Sequence, residues 1–404
     1  MSKGEEINHI YKKLKQAIYY NPDLFLRHRM AEYESDYDNF GLIKEKKIDD
    51  ILSVLMNNGE ISEQIREEID SWIESISYNL LPKKIEISTP TIDSSKNNPI
   101  FISNILSSSK YSWSKANYFI DAPIPLLILD ILWVMKVGSL LESEIGDCCY
   151  ANRIHDHLIN EIENPKMSTS HVFKNFGDQY SAWKNNALDV AELSMENNET
   201  ATIVSLDFTS FFYCININFE KIKQKIIQNY DDDKSKIPLF LNEVLEKIHK
   251  KYMNLIREHI LITHSEIFSQ DKIQERHVLP IGLFSSGILA NWHLIDFDKD
   301  IIEKINPRYY GRYVDDCIVV ISQHKYQETE IMEVENTLTV ADAIIKKYFC
   351  QTEILKEKNE DPLKYVLSTS EISEIEIQND KIKIFTIDPD HSRAILKMIK
   401  KHFQ

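Results

Sequence analysis

The sequence predicts an α+β fold, and three observations carry that reading. The first 200 residues are mainly helical in their apolar spacing. The second half mixes helices with short β-branched runs that read as antiparallel strands. At 404 residues the chain is long enough for two or three units with real cores, and its 43% hydrophobic and 27% charged fractions are those of a folded protein.

Residues 3–20, 43–57 and 60–79 alternate charge with Ile, Leu and Val near the helical period and are expected as amphipathic helices. Lys83 to Ser88 reads as a short strand, and residues 89–117, rich in Ser, Asn and Pro, as a loop. Residues 123–143 form a mostly buried helix entered through Pro123 and Pro125. A helical stretch from Trp183 to Met195 precedes an apolar strand, Ala201 to Asp207. Helices are expected at 218–229, 238–262 and 285–304. Strands 308–314 and 317–322 are joined at Asp315 and Asp316. Residues 327–348 form another amphipathic helix. Late strands lie near 351–355 and 364–368. A hairpin pairs 374–378 with 381–386 across Asn379-Asp380, and a last helix runs 390–402.

Composition excludes several classes. Only 9 glycines are present, with no Rossmann or Walker pattern. The five cysteines are odd in number and form no Cys-x-x-Cys pair, which points to reduced thiols in a cytoplasmic protein. His155-Asp156-His157 has no matching third zinc ligand. The N-terminus lacks an apolar signal core. The greasiest stretch, Pro123 to Gly138, is broken by Asp130 and Lys136 and falls short of a membrane span. A net charge of -16 argues against a broad basic face for nucleic acid, although residues 201–250 balance at zero.

Three carboxylates stand out by position. Asp207 ends an apolar strand. Asp315 and Asp316 occupy the tight turn of Arg-Tyr-Val-Asp-Asp-Cys-Ile-Val-Val, where a structural turn would favour Asn-Gly or Asp-Gly. Acids set into β-branched runs are costly to bury and need a counter-charge, and a divalent metal is the usual one. If the two segments lie side by side, the acids can hold two metal ions about 3.5–4 Å apart.

At these residues the sequence resembles the reverse transcriptases. Leu206-Asp207-Phe208-Thr209-Ser210-Phe211-Phe212 looks like their motif A, Leu279 to Asn291 like motif B, and Tyr313-Val314-Asp315-Asp316 like motif C. The resemblance covers about 120 to 390. Within the family the chain is most similar to the bacterial defence-associated, abortive-infection-type enzymes, through Pro123 to Gly138, Tyr150-Ala151-Asn152-Arg153 and the Ile377 to Phe385 segment.

The resemblance implies a right-hand polymerase with an antiparallel palm sheet, helical fingers and a reduced or absent thumb. Its parts would be an N-terminal helical region (1–80), fingers (81–200), a palm with the catalytic motifs (201–370), and a C-terminal hairpin and helix as a thumb-like remnant (371–404). It implies catalytic Asp207, Asp315 and Asp316. These would bind two Mg2+ ions, with Mn2+ as a substitute, and the Phe208 carbonyl would join them. The amides from Phe208 to Phe211 would face the triphosphate. Of Phe211 and Phe212, the latter is taken as the aromatic gate that excludes a 2′-hydroxyl, the former as core. Gly282 would let the backbone approach the incoming base pair, and Ser285 or Ser286 would cap the next helix. Arg153 is either a contact to the triphosphate or template, or a surface or salt-bridged Arg. Lys356 matches the motif D lysine, with Lys358 and Lys364 in competition. Arg312 is either a phosphate contact or a hairpin surface residue. Ile281 stands where many relatives have Gln, and Gly287 where many have Pro, which puts ordinary templating in question.

The implied activity is RNA-directed DNA polymerisation in antiphage defence. Implied partners are dNTPs, the DNA product, an RNA template or non-coding RNA, and a homo-oligomer mate or companion defence protein, with no membrane. Rival readings are template-independent or protein-primed synthesis on the same site, and a non-catalytic RNA- or partner-binding scaffold.

Overall fold

The computed structural model describes residues 3–20, 24–35, 46–56, 59–88, 110–156, 171–264, 276–324, 339–358, 363–368, 375–390 and 398. The fold is mixed α+β with antiparallel sheets. Four helices come first: α1 (Lys3–Tyr20), α2 (Leu24–Ser35), α3 (Lys46–Met56) and α4 (Glu63–Glu74). The second of these has no counterpart among the expected elements. The fourth ends at Glu74, earlier than its apolar spacing suggested, because the chain turns at once into a strand.

That strand is the largest departure from expectation. β1 (Ser77–Ser88) and β2 (Lys110–Asp121) form a long antiparallel hairpin, with Ser77 opposite Asp121 and Ser88 opposite Lys110. Residues 110–117 therefore lie in a strand rather than in the expected loop. Their pattern alternates polar and aromatic residues (Lys110-Tyr111-Ser112-Trp113), which suits a two-sided ribbon.

α5 (Ile124–Glu142) follows, widened midway by a π-turn over Val134–Gly138. It is long and apolar enough to cross a membrane, but 78% of its apolar window is buried inside the protein. Asp130 sits in its middle for a structural reason. Its Oδ2 accepts from the Phe284 amide at 2.7 Å and from the Ser285 amide at 3.4 Å, capping a later helix.

α6 (Phe176–Glu196) leads through Asn197 and Asn198 to β3 (Glu199–Asp207). The short α7 (Phe211–Cys214), α8 (Phe219–Asn229) and the long α9 (Asp232–Thr263) come next. Asp231 precedes α9 and Asp232 and Asp233 open it, where acids complement the helix dipole. α10 (Phe284–His293) and α11 (Ile295–Asp300) precede the hairpin of β4 (Tyr309–Tyr313) and β5 (Asp316–His324). Of the expected helix 327–348, α12 (Val340–Ile345) and a π-turn to Cys350 are described. β6 (Leu355–Lys358) and β7 (Lys364–Leu367) make a small ladder, and β8 (Lys383–Ile387) closes the list. The strand expected at 351–355 starts only at Leu355. The expected 374–378/381–386 hairpin does not form: Ile377 bridges Phe208, Glu376 bridges Val366, and β8 pairs with β3. The helix expected at 390–402 lies, but for Asp390 and Met398, outside the described residues.

The principal sheet has the order β4-β5-β3-β8, all antiparallel. Strand alternation divides its two faces cleanly. Val204, Leu206, Cys317, Val319 and Ile321 join the main core with α5, α9 and α10. Ala201, Ile203, Ile318, Val320 and Ile387 pack instead on Trp183, Ala187, Leu188, Ala191 and Met195 of α6. Gly311 permits this close approach, since a Cβ there would collide with Tyr309 and with the Trp183 ring at 2.9 Å.

Candidate functional site

Register brings the acids together. Asp207 of β3 lies directly opposite Asp316 of β5. Residues so paired project to one face with Cβ atoms about 4.5–5.5 Å apart. By the same alternation this is the α6 face, beyond Ser205 and Ile318. Asp315 follows Val314 in the two-residue turn between β4 and β5.

The turn is strained. Val314 has φ 58°, a left-handed conformation that costs a β-branched residue about 1–3 kcal/mol. Arg312 holds it there, donating from Nη1 to the Val314 carbonyl at 2.8 Å. The guanidinium is fully buried. It donates to Asp298 at 2.7 and 2.6 Å, to the Asn291 side chain at 3.2 Å and to the Asn291 carbonyl at 3.2 Å. Neither sequence reading of Arg312 survives: it is a core strut that fixes the β4–β5 turn, with no donor left for phosphate.

Counter-charge is short on the acid side. Burial, then Asp207 and Asp316, push the Asp315 carboxyl up to about 7. Burial and Asp207 push Asp316 up to about 6. Lys381 Nζ lies 2.5 Å from Asp207 Oδ2. Burial works against the Lys381 charge, but the pairing with Asp207 outweighs it and raises its pKa. Lys184 of α6 and Lys383 of β8 act on Asp316. Lys83, from β1, faces Asp315 and Asp207; burial and the neighbouring Lys381 charge still hold its pKa below the usual lysine range.

The segment after Asp207 is locked from behind. The Gln378 amide donates to the Asp207 carbonyl at 2.7 Å, and the Thr209 amide donates to Glu376 O at 2.8 Å. This pattern turns the Phe208 carbonyl to the opposite edge, as a ligand would need. It also commits the Thr209 amide, so the run of amides expected to face a triphosphate is interrupted. Ser210 adopts φ 49° and starts α7. Phe211 is buried against Phe208 at 5.6 Å, whereas Phe212 is only partly buried. The Phe212 carbonyl accepts from Leu279 at 3.0 Å, which ties the loop before α10 to this turn. Gly282 in that loop has φ 115° against Ile120 of β2, a conformation that glycine alone adopts readily. The Ile120 amide donates to Ile281 O at 2.8 Å, so the loop bridges the sheet and the β1–β2 hairpin.

Several sequence assignments have other partners in the structure. Arg153 Nε donates to Glu142 at 2.6 Å, and its terminal nitrogens donate to the carbonyls of Gly146, Cys149 and Ile145 at 2.9, 2.7 and 3.2 Å. It is salt-bridged and structural, not a triphosphate contact. Lys356 sits on β6 with Nζ 3.5 Å from Ser368 O. Lys358 and Lys364 pair with Glu376 at 3.1 and 3.6 Å. The Ser285/Ser286 cap is supplied instead by Asp130, and Ser286 Oγ donates to Pro280 O at 2.7 Å. The lysines that act on the acids are Lys83 of β1, Lys184 of α6, Lys381 of the 379–381 turn and Lys383 of β8.

Three carboxylates and a strand-end carbonyl form an all-oxygen donor set, the kind that suits a hard divalent ion. Among the described residues, however, no three His, Cys, Asp or Glu side chains stand as a ready-made metal centre. Fold and site together define an α+β protein with a largely buried acid cluster at the end of an antiparallel sheet, with lysines in electrostatic reach of it. No protein-family model matches the chain, and no curated protein matches it.

Proposed function

We propose that the chain is a DNA polymerase of the reverse transcriptase type, acting in bacterial antiphage defence. The carrying observation is the register that sets Asp207 opposite Asp316, with Asp315 on the strained turn beside them. On this reading the four-stranded sheet is the palm, and the β1–β2 hairpin with α5 forms the fingers. Asp207, Asp315, Asp316 and the Phe208 carbonyl would hold the ions. Bound there, two Mg2+ or Mn2+ ions supply Lewis-acid activation of the primer hydroxyl and charge neutralisation at the leaving pyrophosphate. The chain itself positions the reactants. Arg312 fixes the turn that carries Asp315. Phe212 walls the sugar and disfavours a 2′-hydroxyl. Gly282 leaves room beside the nascent pair, and Lys83 faces the phosphates from the fingers. The primer 3′-hydroxyl would lose its proton to solvent as its oxygen bonds the α-phosphorus and the bond to pyrophosphate breaks.

Template-independent or protein-primed synthesis is the second reading. It is favoured by α6, which lies along the acid-bearing face of the sheet, and by Ile281, whose carbonyl is tied to Ile120. Purified protein with magnesium and each dNTP, with and without RNA, separates the readings. Product that needs added RNA supports templating. Product without RNA supports the second reading. No product under either condition, with biological activity retained in Asp315→Asn, leaves only the scaffold.

A further inference from the structure

Lys381 grips Asp207 where a metal ion would bind. Its ammonium is 2.5 Å from Oδ2, across 174 residues of sequence. The same short segment binds the Asp207 backbone, because Gln378 N–H donates to the Asp207 carbonyl and Lys381 N–H donates to Gln378 O at 2.9 Å. The carboxylate is nearly enclosed, with 13% of its side chain exposed, while 52% of the Lys381 side chain faces solvent. A four-carbon stem half in solvent can swing away; the carboxylate cannot.

We propose that Lys381 is a built-in cation of the acid cluster that competes with divalent metal for Asp207. Resting on the polymerase reading, this makes Lys381 the residue that sets the metal affinity of the site. The charges leave few alternatives. Three acids share one strand end, two of them already short of counter-charge, and Lys381 acts on all three. A metal ion that takes Asp207 must either displace the ammonium or sit beside it, and like charges a few ångströms apart repel by several kcal/mol at an effective dielectric near 20.

The test is Mn2+ binding by calorimetry on the full chain, independent of turnover. Lys381→Met is expected to bind Mn2+ about tenfold more tightly than wild type, or about 1.4 kcal/mol, while Lys381→Arg stays close to wild type. Equal or weaker binding by Lys381→Met overturns the proposal. A second measurement uses the unaltered protein. Acylation of Lys381 by an amine-reactive reagent, followed by mass spectrometry, is expected to speed up several-fold when Mn2+ is added. An unchanged rate in protein that calorimetry shows to have bound Mn2+ overturns the displacement. The polymerase reading fails separately, if Asp315→Asn binds Mn2+ as well as wild type does. If only Lys381→Met takes up Mn2+, Lys381 excludes the ion outright and the proposal stands. If neither protein takes it up, both readings fall.

Discussion

Arg312 and Asp315 are three residues apart on one hairpin, and their charges are treated in opposite ways. Arg312 is sealed in the core, and all five of its N–H donors have partners in Asp298, Asn291 and Val314. Asp315 shares a crowded rim with two other acids and has its carboxyl pushed up to about 7. A satisfied buried pair fixes geometry, whereas the acid cluster keeps its carboxyls where burial and mutual repulsion disfavour their charge. One strut therefore supports one site: the guanidinium that stabilises the core also holds Val314 in its costly conformation.

Substitution on each side of the hairpin breaks the comparison most directly. Asp315→Asn is expected to lower nucleotide incorporation by roughly 1000-fold or more, by analogy with losing one element of transition-state charge stabilisation, while the melting temperature holds or rises. Arg312→Met is expected to cost about 3–5 kcal/mol of stability, because it strands Asp298 in the core. Chemical denaturation together with primer-extension rates checks both. Similar stability losses in the two variants would erase the distinction.

The pH dependence comes next in size. Both Asp315 and Asp316 have folded-state values, about 7 and about 6, above the ordinary carboxylate value of 3.8. The folded state therefore holds their protons more tightly than the unfolded chain does. That advantage is complete below about 3.8 and is lost as pH rises through 6 to 7. In chelator, Asp315→Asn should gain on wild type in melting temperature between pH 5 and pH 8. A constant difference across that range would mean that the acids are not under-neutralised.

Much of this site is legible in the sequence, and the limits are physical. β3 and the β4–β5 hairpin are short, apolar runs whose ends are marked by acids, so pattern alone places Asp207, Asp315 and Asp316. The ribbon of β1 and β2 is missed because a serine-rich stretch hides its alternation. Lys381 is missed because ion pairing across 174 residues leaves no local trace. Arg153 and Arg312 mislead for a related reason: an arginine suited to phosphate is equally suited to a buried carboxylate, and only burial separates the two.

Phe211 and Phe212 extend the comparison to aromatics, since one is buried in the core and the other is only partly buried against it. Phe212→Ala is expected to raise ribonucleotide incorporation relative to deoxynucleotide by about 10- to 100-fold, within the range that one apolar contact can discriminate. Phe211→Ala should instead cost about 3–5 kcal/mol of stability without relaxing sugar choice. Paired incorporation assays with matched dNTP and rNTP distinguish them, and an unchanged ratio in Phe212→Ala would remove it from the sugar pocket.

Arg153 gives the smallest expected effect on chemistry and the sharpest check on what counts as core. Its guanidinium pairs with Glu142, whose side chain is only 5% exposed, and with three carbonyls that close the turn after α5. Truncation to Ala leaves that carboxylate buried and unpaired, so a loss of about 1–3 kcal/mol is expected. Arg153→Ala with Glu142→Gln should recover part of it, as a coupled pair does in a double-mutant cycle. The KM for dNTP should stay within about twofold in both, because no donor of Arg153 points at the acids and binding differences below 0.4 kcal/mol are that small. A tenfold rise in KM with unchanged stability would move Arg153 from the Arg312 side of the comparison to the Asp315 side.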